Sequence, residues 1–295
     1  MTRPLLVAAG LTTALLCSVA AMQPPAPAAA VASPSVPAAA GEFVWHDLVT
    51  DDPAAARSFY GGLFGWTFEA GEGIDPGYTI IRHEGARIGG IALPSQRASQ
   101  PRVAHWITYL TVTDVDRVAA KFRDGGGAVL RGPLNARKDL RVAVVADAQG
   151  AMLGLASRGP HDAVSLPAPA PMHRWLWMEY LARDGAAALD FHRETLGFSS
   201  EVAEVREHVT YYLLSTDRPR AGLFSGPWQR DTSAWLPYVR VADPVALADR
   251  VVALGGSVLL APRADVRNNS LAIILDPNGA PLALQRYPFD TGSTP

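Results

Sequence analysis

The stretch FVWHDLVTDDPAAARSFYGGLFGW, residues 43–66, returns as RWLWMEYLARDGAAALDFHRETLGF, residues 174–198. Trp45 pairs with Trp177, Asp47 with Glu179, Asp52 with Asp184, Phe59 with Phe191 and Gly65 with Gly197, all at one offset of 132 (177−45). Further on, HWITYLTVTDVDRVAAKFRDGGGAVLRGP (105–133) returns as AWLPYVRVADPVALADRVVALGGSVLLAP (234–262) at an offset of 129 (235−106). Asp147 and Gly150 meet Asp276 and Gly279 at that same distance. Repeats of about 20–50 residues build solenoids, whereas a unit this long is a whole globular domain. The expected domains are residues 42–158 and 172–288, joined by a Pro/Ala-rich linker at 159–171 and followed by a tail at 289–295.

Within each domain the pattern runs strand, helix, strands, and then repeats. FVWHDLVT alternates apolar and polar residues as a half-buried strand does. Asp52-Pro53 supplies an N-cap and a proline in the first helical turn, and Ala56, Phe59, Tyr60 and Leu63 give the helix one apolar face. Strands are expected at Tyr78–Arg82 and Arg87–Leu93 around a Gly85 turn. The second half predicts a strand at Trp106–Val112, a helix at Val115–Arg123 and strands at Ala128–Leu130, Arg141–Ala146 and Met152–Ala156. The fold class is α+β, with two βαβββ modules per domain and four in the chain.

Residues 1–22 carry one early charge, Arg3, an apolar run from Leu5 to Ala21 and the small residues Ser18 and Ala20, as in an export signal. The alternatives are an uncleaved membrane anchor and lipid attachment at Cys17. Residues 23–41, nearly all Ala, Pro, Ser and Val, read as a disordered tether. An exported protein, periplasmic or extracellular, is expected. Cys17 is the single cysteine of the 295 residues, so removal of the signal leaves neither disulfide nor thiol chemistry. Net charge is −2 and no basic run is present, which argues against nucleic acid and, beyond the signal segment, against membrane partners. Small molecules remain as expected partners. Duplication also makes a monomer plausible, its two domains packing as a homodimer's subunits would.

The βαβββ plan, the Phe-Tyr late in the first helix, the Gly-Gly after the second and the Asp-Pro-Asn-Gly turn at 276–279 together resemble the vicinal oxygen chelate superfamily, with its glyoxalases, bleomycin-resistance proteins and extradiol dioxygenases. The resemblance covers residues 43–287. It implies tandem glyoxalase-like domains, each a cupped, barrel-like mixed sheet, and in catalytic members a divalent metal held by residues of three strands. Counted onto this sequence, the ligand places hold Trp45, Ile107 and Gly154 in the first domain and Trp177, Leu236 and Ala283 in the second. None of these side chains binds a metal, so no cofactor is predicted. Displaced ligands near His46 and His105 would be needed for a metal enzyme, a lyase, isomerase or dioxygenase. His46 follows Trp45 on a strand and so should face the other way.

If Trp45 faces into its cup, Asp47 does too, with Ile107, Tyr109 and Thr111 on the neighbouring strand. The second set is Trp177, Glu179, Leu236, Tyr238 and Arg240. An aromatic wall with a few directed polar groups suits a small-molecule pocket. The expected ligand-binding residues are therefore Trp45, Asp47, Tyr109, Trp177, Glu179, Tyr238 and Arg240. Asp47 and Glu179 are also the candidate general bases, since burial in an apolar cup raises a carboxyl pKa. Three roles stay open on sequence alone: a metal-free binder of a small, partly apolar molecule, a metal enzyme with displaced ligands, and a structural envelope protein with both cups packed shut.

Overall fold

The computed structural model describes residues 40–71, 77–94, 103–158, 170–206, 208–226 and 231–288. The signal segment, nearly all of the tether and the interdomain linker, and the tail lie outside them. Among the described residues no helix is long and apolar enough to cross a membrane.

The first domain runs β1 (Phe43–Val49), α1 (Pro53–Phe64), β2 (Thr67–Ala70), β3 (Thr79–His83), β4 (Ala86–Ala92), β5 (His105–Thr111), α2 (Val115–Asp124), β6 (Ala128–Arg137), β7 (Leu140–Ala146) and β8 (Met152–Ala156). The second runs β9 (Trp175–Leu181), α3 (Gly185–Leu196), β10 (Ser199–Arg206), β11 (Val209–Ser215), β12 (Pro219–Ser225), β13 (Ala234–Val241), α4 (Pro244–Ala253), β14 (Ser257–Leu260), a single 3-10 turn (Arg267–Asn269), β15 (Leu271–Leu275) and β16 (Pro281–Arg286). Each domain is one eight-stranded mixed sheet, ordered β2-β3-β4-β1-β5-β8-β7-β6 and β10-β11-β12-β9-β13-β16-β15-β14. The first strands of a domain's two modules, β1 with β5 and β9 with β13, pair antiparallel at the centre. The α+β fold of tandem βαβββ modules is as expected. The structure adds β2 and runs β6 on to Arg137, segments whose mixed composition gave no clear period.

Among the described residues, each of the four helices starts on an aspartate. Asp52, Asp114, Asp184 and Asp243 each accept a backbone N–H of the first turn, from Ala55, Arg117, Ala187 and Val245 at 2.8–3.1 Å. Such a cap satisfies a donor that helix geometry leaves orphaned and contributes about 1 kcal/mol.

Strand alternation divides the work of β1. Trp45 and Asp47 face the cup, while His46 and Leu48 face the other domain. Leu48, Phe59, Tyr60 and Ile91 of the first domain share one core with Val239, Val251, Ile274 and Leu284 of the second. Phe122, Val145 and Leu155 share another with Tyr180, Phe198 and Leu223. Each module thus buries its helix face against a module of the other domain.

Two aspartate turns fasten these cores. Asp147 Oδ1 accepts from the Gln149 and Ala151 amides, and Oδ2 accepts the Tyr180 hydroxyl of the second domain at 2.6 Å. Asp276 repeats the turn with Asn278 and Ala280 and accepts the Tyr60 hydroxyl of the first domain at 3.1 Å. The two tyrosines come from different elements, α1 and β9, so the contact is kept although its sequence position is not.

Candidate functional site in the two cups

In the first cup Trp45 sits directly across from Tyr109, and Asp47 across from Ile107. Asp47 Oδ1 accepts from Trp45 Nε1 at 2.8 Å and from the Tyr78 hydroxyl at 2.6 Å. Tyr109 is a further donor to this carboxyl, and the field of Arg131 favours its ionised form. Burial outweighs them: Asp47 is 8% exposed, and loss of water holds its carboxyl above the usual carboxylate range. Burial and the neighbouring Asp47 charge in turn push the Tyr78 hydroxyl well up, so it stays a donor. Over this cluster opens a cavity of about 110 Å³, lined by Trp45, Asp47, Tyr78 and Tyr109 and, on the far side, by Arg131 and Val142. Trp45, Asp47 and Tyr109 were legible in the sequence. Tyr78 was missed, although Tyr211 stands at the matching place of the second domain, one residue off the repeat offset.

The second cup has the same walls and a different content. Trp177 faces Tyr238, and Glu179 faces Leu236. Glu179 is fully buried, accepts from Tyr211 at 3.3 Å and from Tyr238 by a shorter bond, and forms an ion pair with Arg267 Nη2 at 2.8 Å. Arg267 Nη1 donates to Gln285 Oε1 at 2.9 Å, and its Cζ lies 5.6 Å from the centre of the Tyr238 ring. Burial works against the guanidinium charge, but Glu179 more than restores it and lifts the pKa above its ordinary value. Arg267 comes from the segment between β14 and β15, where the second domain stops matching the first, so no sequence signal pointed to it. Arg267, Asn268 and Asn269 have φ of 46°, 50° and 58°, a left-handed run that non-glycine residues adopt only under constraint.

Arg240 does not join the cup. Opposite Tyr238 and Val239 the pairing skips Leu176, a bulge in β9, while β13 keeps regular register with β16 and sets Arg240 beside Gln285. Its guanidinium donates to the carbonyls of Tyr287 at 2.7 Å and Ala170 at 2.5 Å. Thr111 likewise spends its hydroxyl on backbone, accepting from the Glu42 amide and donating to the Glu42 carbonyl.

His46 faces the interface, as alternation requires. It stacks on Trp175 at 3.9 Å, and its Nδ1 lies 3.0 Å from Thr108 Oγ1. His105 Nδ1 lies 3.1 Å from the Val103 carbonyl. Among the described residues no group of three or more His, Cys, Asp or Glu could hold a metal ion. The place of a closing glutamate is Gly154, where an added Cβ would lie 2.3 Å from the Tyr109 ring. The residues at the three ligand places do not fit a divalent metal. Gly154→Ala is accordingly expected to displace Tyr109 and cost about 1–3 kcal/mol by overpacking. Urea unfolding measures this, and a loss below about 0.5 kcal/mol would show that the ring does not rest on this strand.

A family model described as the Glyoxalase/Bleomycin resistance protein/Dioxygenase superfamily matches residues 42–155. CFP32 of Mycobacterium tuberculosis, which carries a glyoxylase name, is 30% identical over 243 residues, covering 80% of this chain and 91% of its own. The anthracycline biosynthesis protein DnrV of Streptomyces peucetius is 30% identical over 274 residues, covering 86% and 98%. Among solved structures, the Mn(II)-bound glyoxalase from Novosphingobium aromaticivorans superposes with a TM-score of 0.57 at 14% identity, over 85% of each chain. A variant of homoprotocatechuate 2,3-dioxygenase from Brevibacterium fuscum gives 0.57 at 16%, over 91% of this chain and 76% of the enzyme. Both structures are similar in fold.

Proposed function

Because the chain belongs to the glyoxalase/bleomycin resistance protein/dioxygenase superfamily, we propose that it is an exported member that works without the metal chemistry of its catalytic relatives and binds or sequesters a small, partly apolar molecule in its first cup. The names of its relatives divide between a glyoxylase and anthracycline biosynthesis and do not choose a ligand. One observation carries the reading: the first cup holds a cavity of about 110 Å³ over Asp47, walled by Trp45, Tyr78 and Tyr109. Pockets of this makeup, apolar with a few convergent polar groups, are where small molecules bind. The second cup, with Arg267 at its centre, serves as scaffold.

Export rests on the N-terminal signal pattern. The work of Asp47 in this reading is orientation. Held by Trp45 and Tyr78, its Oδ1 is fixed in place, and the carboxyl can present its remaining hydrogen-bonding capacity to a ligand.

Elemental mass spectrometry on mature protein, purified without chelator and dialysed against zinc, iron, manganese and nickel, is expected to find less than about a tenth of an equivalent of any retained metal. Near-stoichiometric metal surviving the wash would overturn the metal-free reading. A small-molecule screen read by tryptophan fluorescence is expected to yield ligands whose effect disappears in Trp45→Phe. Ligands indifferent to that substitution would move the site elsewhere.

A further inference from the structure

The second cup is a record of what these walls hold. Trp177, Glu179, Tyr211 and Tyr238 surround a guanidinium, bound to the carboxylate at 2.8 Å and lying over a tyrosine ring. Trp45, Asp47, Tyr78 and Tyr109 repeat those four groups in the first cup. Among the described residues, however, no cation is ion-paired with Asp47. Its direct partners are Trp45 Nε1 and the tyrosine hydroxyls, and Arg131 acts on it through space alone. A carboxylate taken out of water without a cation in contact is expensive, and in Asp47 the expense is visible as a carboxyl held above its usual range. The cavity opens beside that carboxylate.

We infer that the first cup takes a planar organic cation on an apolar body, an amidinium, guanidinium or aromatic amine, with its N–H donors on Asp47 where the second cup seats Arg267. The inference rests on the reading of the first cup as a binding site. Tyrosine and tryptophan faces attract such cations electrostatically, and a desolvated carboxylate supplies the opposite charge and the acceptor. The arginines of the lining set a limit on the ligand. Arg87 faces Glu69 at 3.8 Å and Arg158 is ion-paired with Asp139, which offsets part of the positive charge around the cavity. With Arg131 and Arg137 also in the lining, a bare ammonium ion gains too little, and the ligand must add apolar contact with Trp45, Ile80 and Val142.

Three probes of one shape test this: benzamidine, benzamide and benzoate, titrated calorimetrically into the full chain and into Asp47→Asn and Arg267→Ala. Benzamidine is expected to bind the native protein at least tenfold tighter than benzamide, and benzoate weakest. Asp47→Asn should erase that tenfold preference while the protein keeps its native circular dichroism. Arg267→Ala empties the second cup beside Glu179, so it should take up a second equivalent of benzamidine and show a larger rise in Tm with benzamidine than the native protein does. If Arg267→Ala fails to fold, the Asp47→Asn comparison decides alone. Benzamide or benzoate binding as tightly as benzamidine, with the signal lost in Trp45→Phe, would leave the first cup a binding site and overturn the cation. Benzamidine binding unchanged by Asp47→Asn, or no binding of any probe to the native protein, would overturn it as well, and the fluorescence screen then judges the cup separately.

Discussion

Arg267→Ala is expected to cost about 3–5 kcal/mol of folding free energy at neutral pH, because it leaves Glu179 buried without its cation. The ion pair at 2.8 Å joins two side chains with at most 1% exposure, so solvent cannot take over the lost contact. Tyr211, Tyr238 and Gln285, built around the pair, would keep only each other and an uncompensated carboxylate. The sign can be separated from simple cavity formation. If the loss comes from the buried charge, it is relieved when the charge of Glu179 is removed together with that of Arg267, whereas a cavity left by the shortened side chain is not. Arg267→Met combined with Glu179→Gln removes both charges and should recover more than half of the loss, since a buried pair replaced as a unit is often close to neutral. Urea unfolding at pH 7 reads both variants. A loss below about 1 kcal/mol for Arg267→Ala would mean that Glu179 does not depend on this guanidinium.

The difference between the cups explains how far the sequence could be read. Fold and walls are legible because they obey local rules: alternation places Trp45 with Asp47, and cross-strand pairing adds Tyr109. The Asp N-caps recur at the offsets of the duplication and mark all four helices. Alternation holds along β13 to Arg240, but the carbonyls that take its guanidinium, Tyr287 and Ala170, lie 47 and 70 positions away and leave no trace in YVRVAD. Arg267 was invisible as well. Its approach to Glu179 spans 88 positions and depends on three consecutive left-handed residues, where the equally long segment of the first domain forms the β6–β7 turn instead. Tyr60 and Tyr180 show a middle case, in which the contact to an aspartate turn recurs but the tyrosine moves from helix to strand. The repeat alignment therefore finds Asp147 and Asp276 without finding what they hold.

The interface between the domains should be acid-labile. His46 stacks on Trp175, and His192 lies edge-on to the Tyr180 ring at 4.7 Å with neither ring nitrogen hydrogen-bonded. Burial pushes His46 down to about 3 and His192 down to about 4, from an ordinary 6.5, although Asp147 at 3.9 Å pulls His192 back toward the charged form. In the unfolded chain both protonate near 6.5. Below that pH the unfolded state binds more protons than the folded one, so stability falls as pH falls, down to the depressed folded values. Each histidine contributes a slope that starts near half of 1.4 kcal/mol per pH unit at 6.5 and approaches that value below it, so the step from pH 6.5 to 5 removes about 3 kcal/mol between them. His83 shifts in the same direction. Asp47 and Asp276, raised by burial, work the other way: the folded state binds the extra proton, and stability returns as pH falls toward 3.8. Their effect begins at the acid end of the window and flattens the curve there. Urea midpoints measured from pH 7 to 4.5 are expected to fall most steeply between 6.5 and 5. His192→Phe, which removes the two unsatisfied nitrogens and keeps the ring, should leave stability at pH 7 within about 1 kcal/mol of the native value or above it. The same change should take away about half of the slope. Because both histidines lie where the domains meet, the acid loss should appear as one cooperative transition of both domains. A midpoint that stays flat from pH 7 to 5, or a slope untouched by His192→Phe, would mean that these rings are hydrated and that the shared cores are looser than their packing implies.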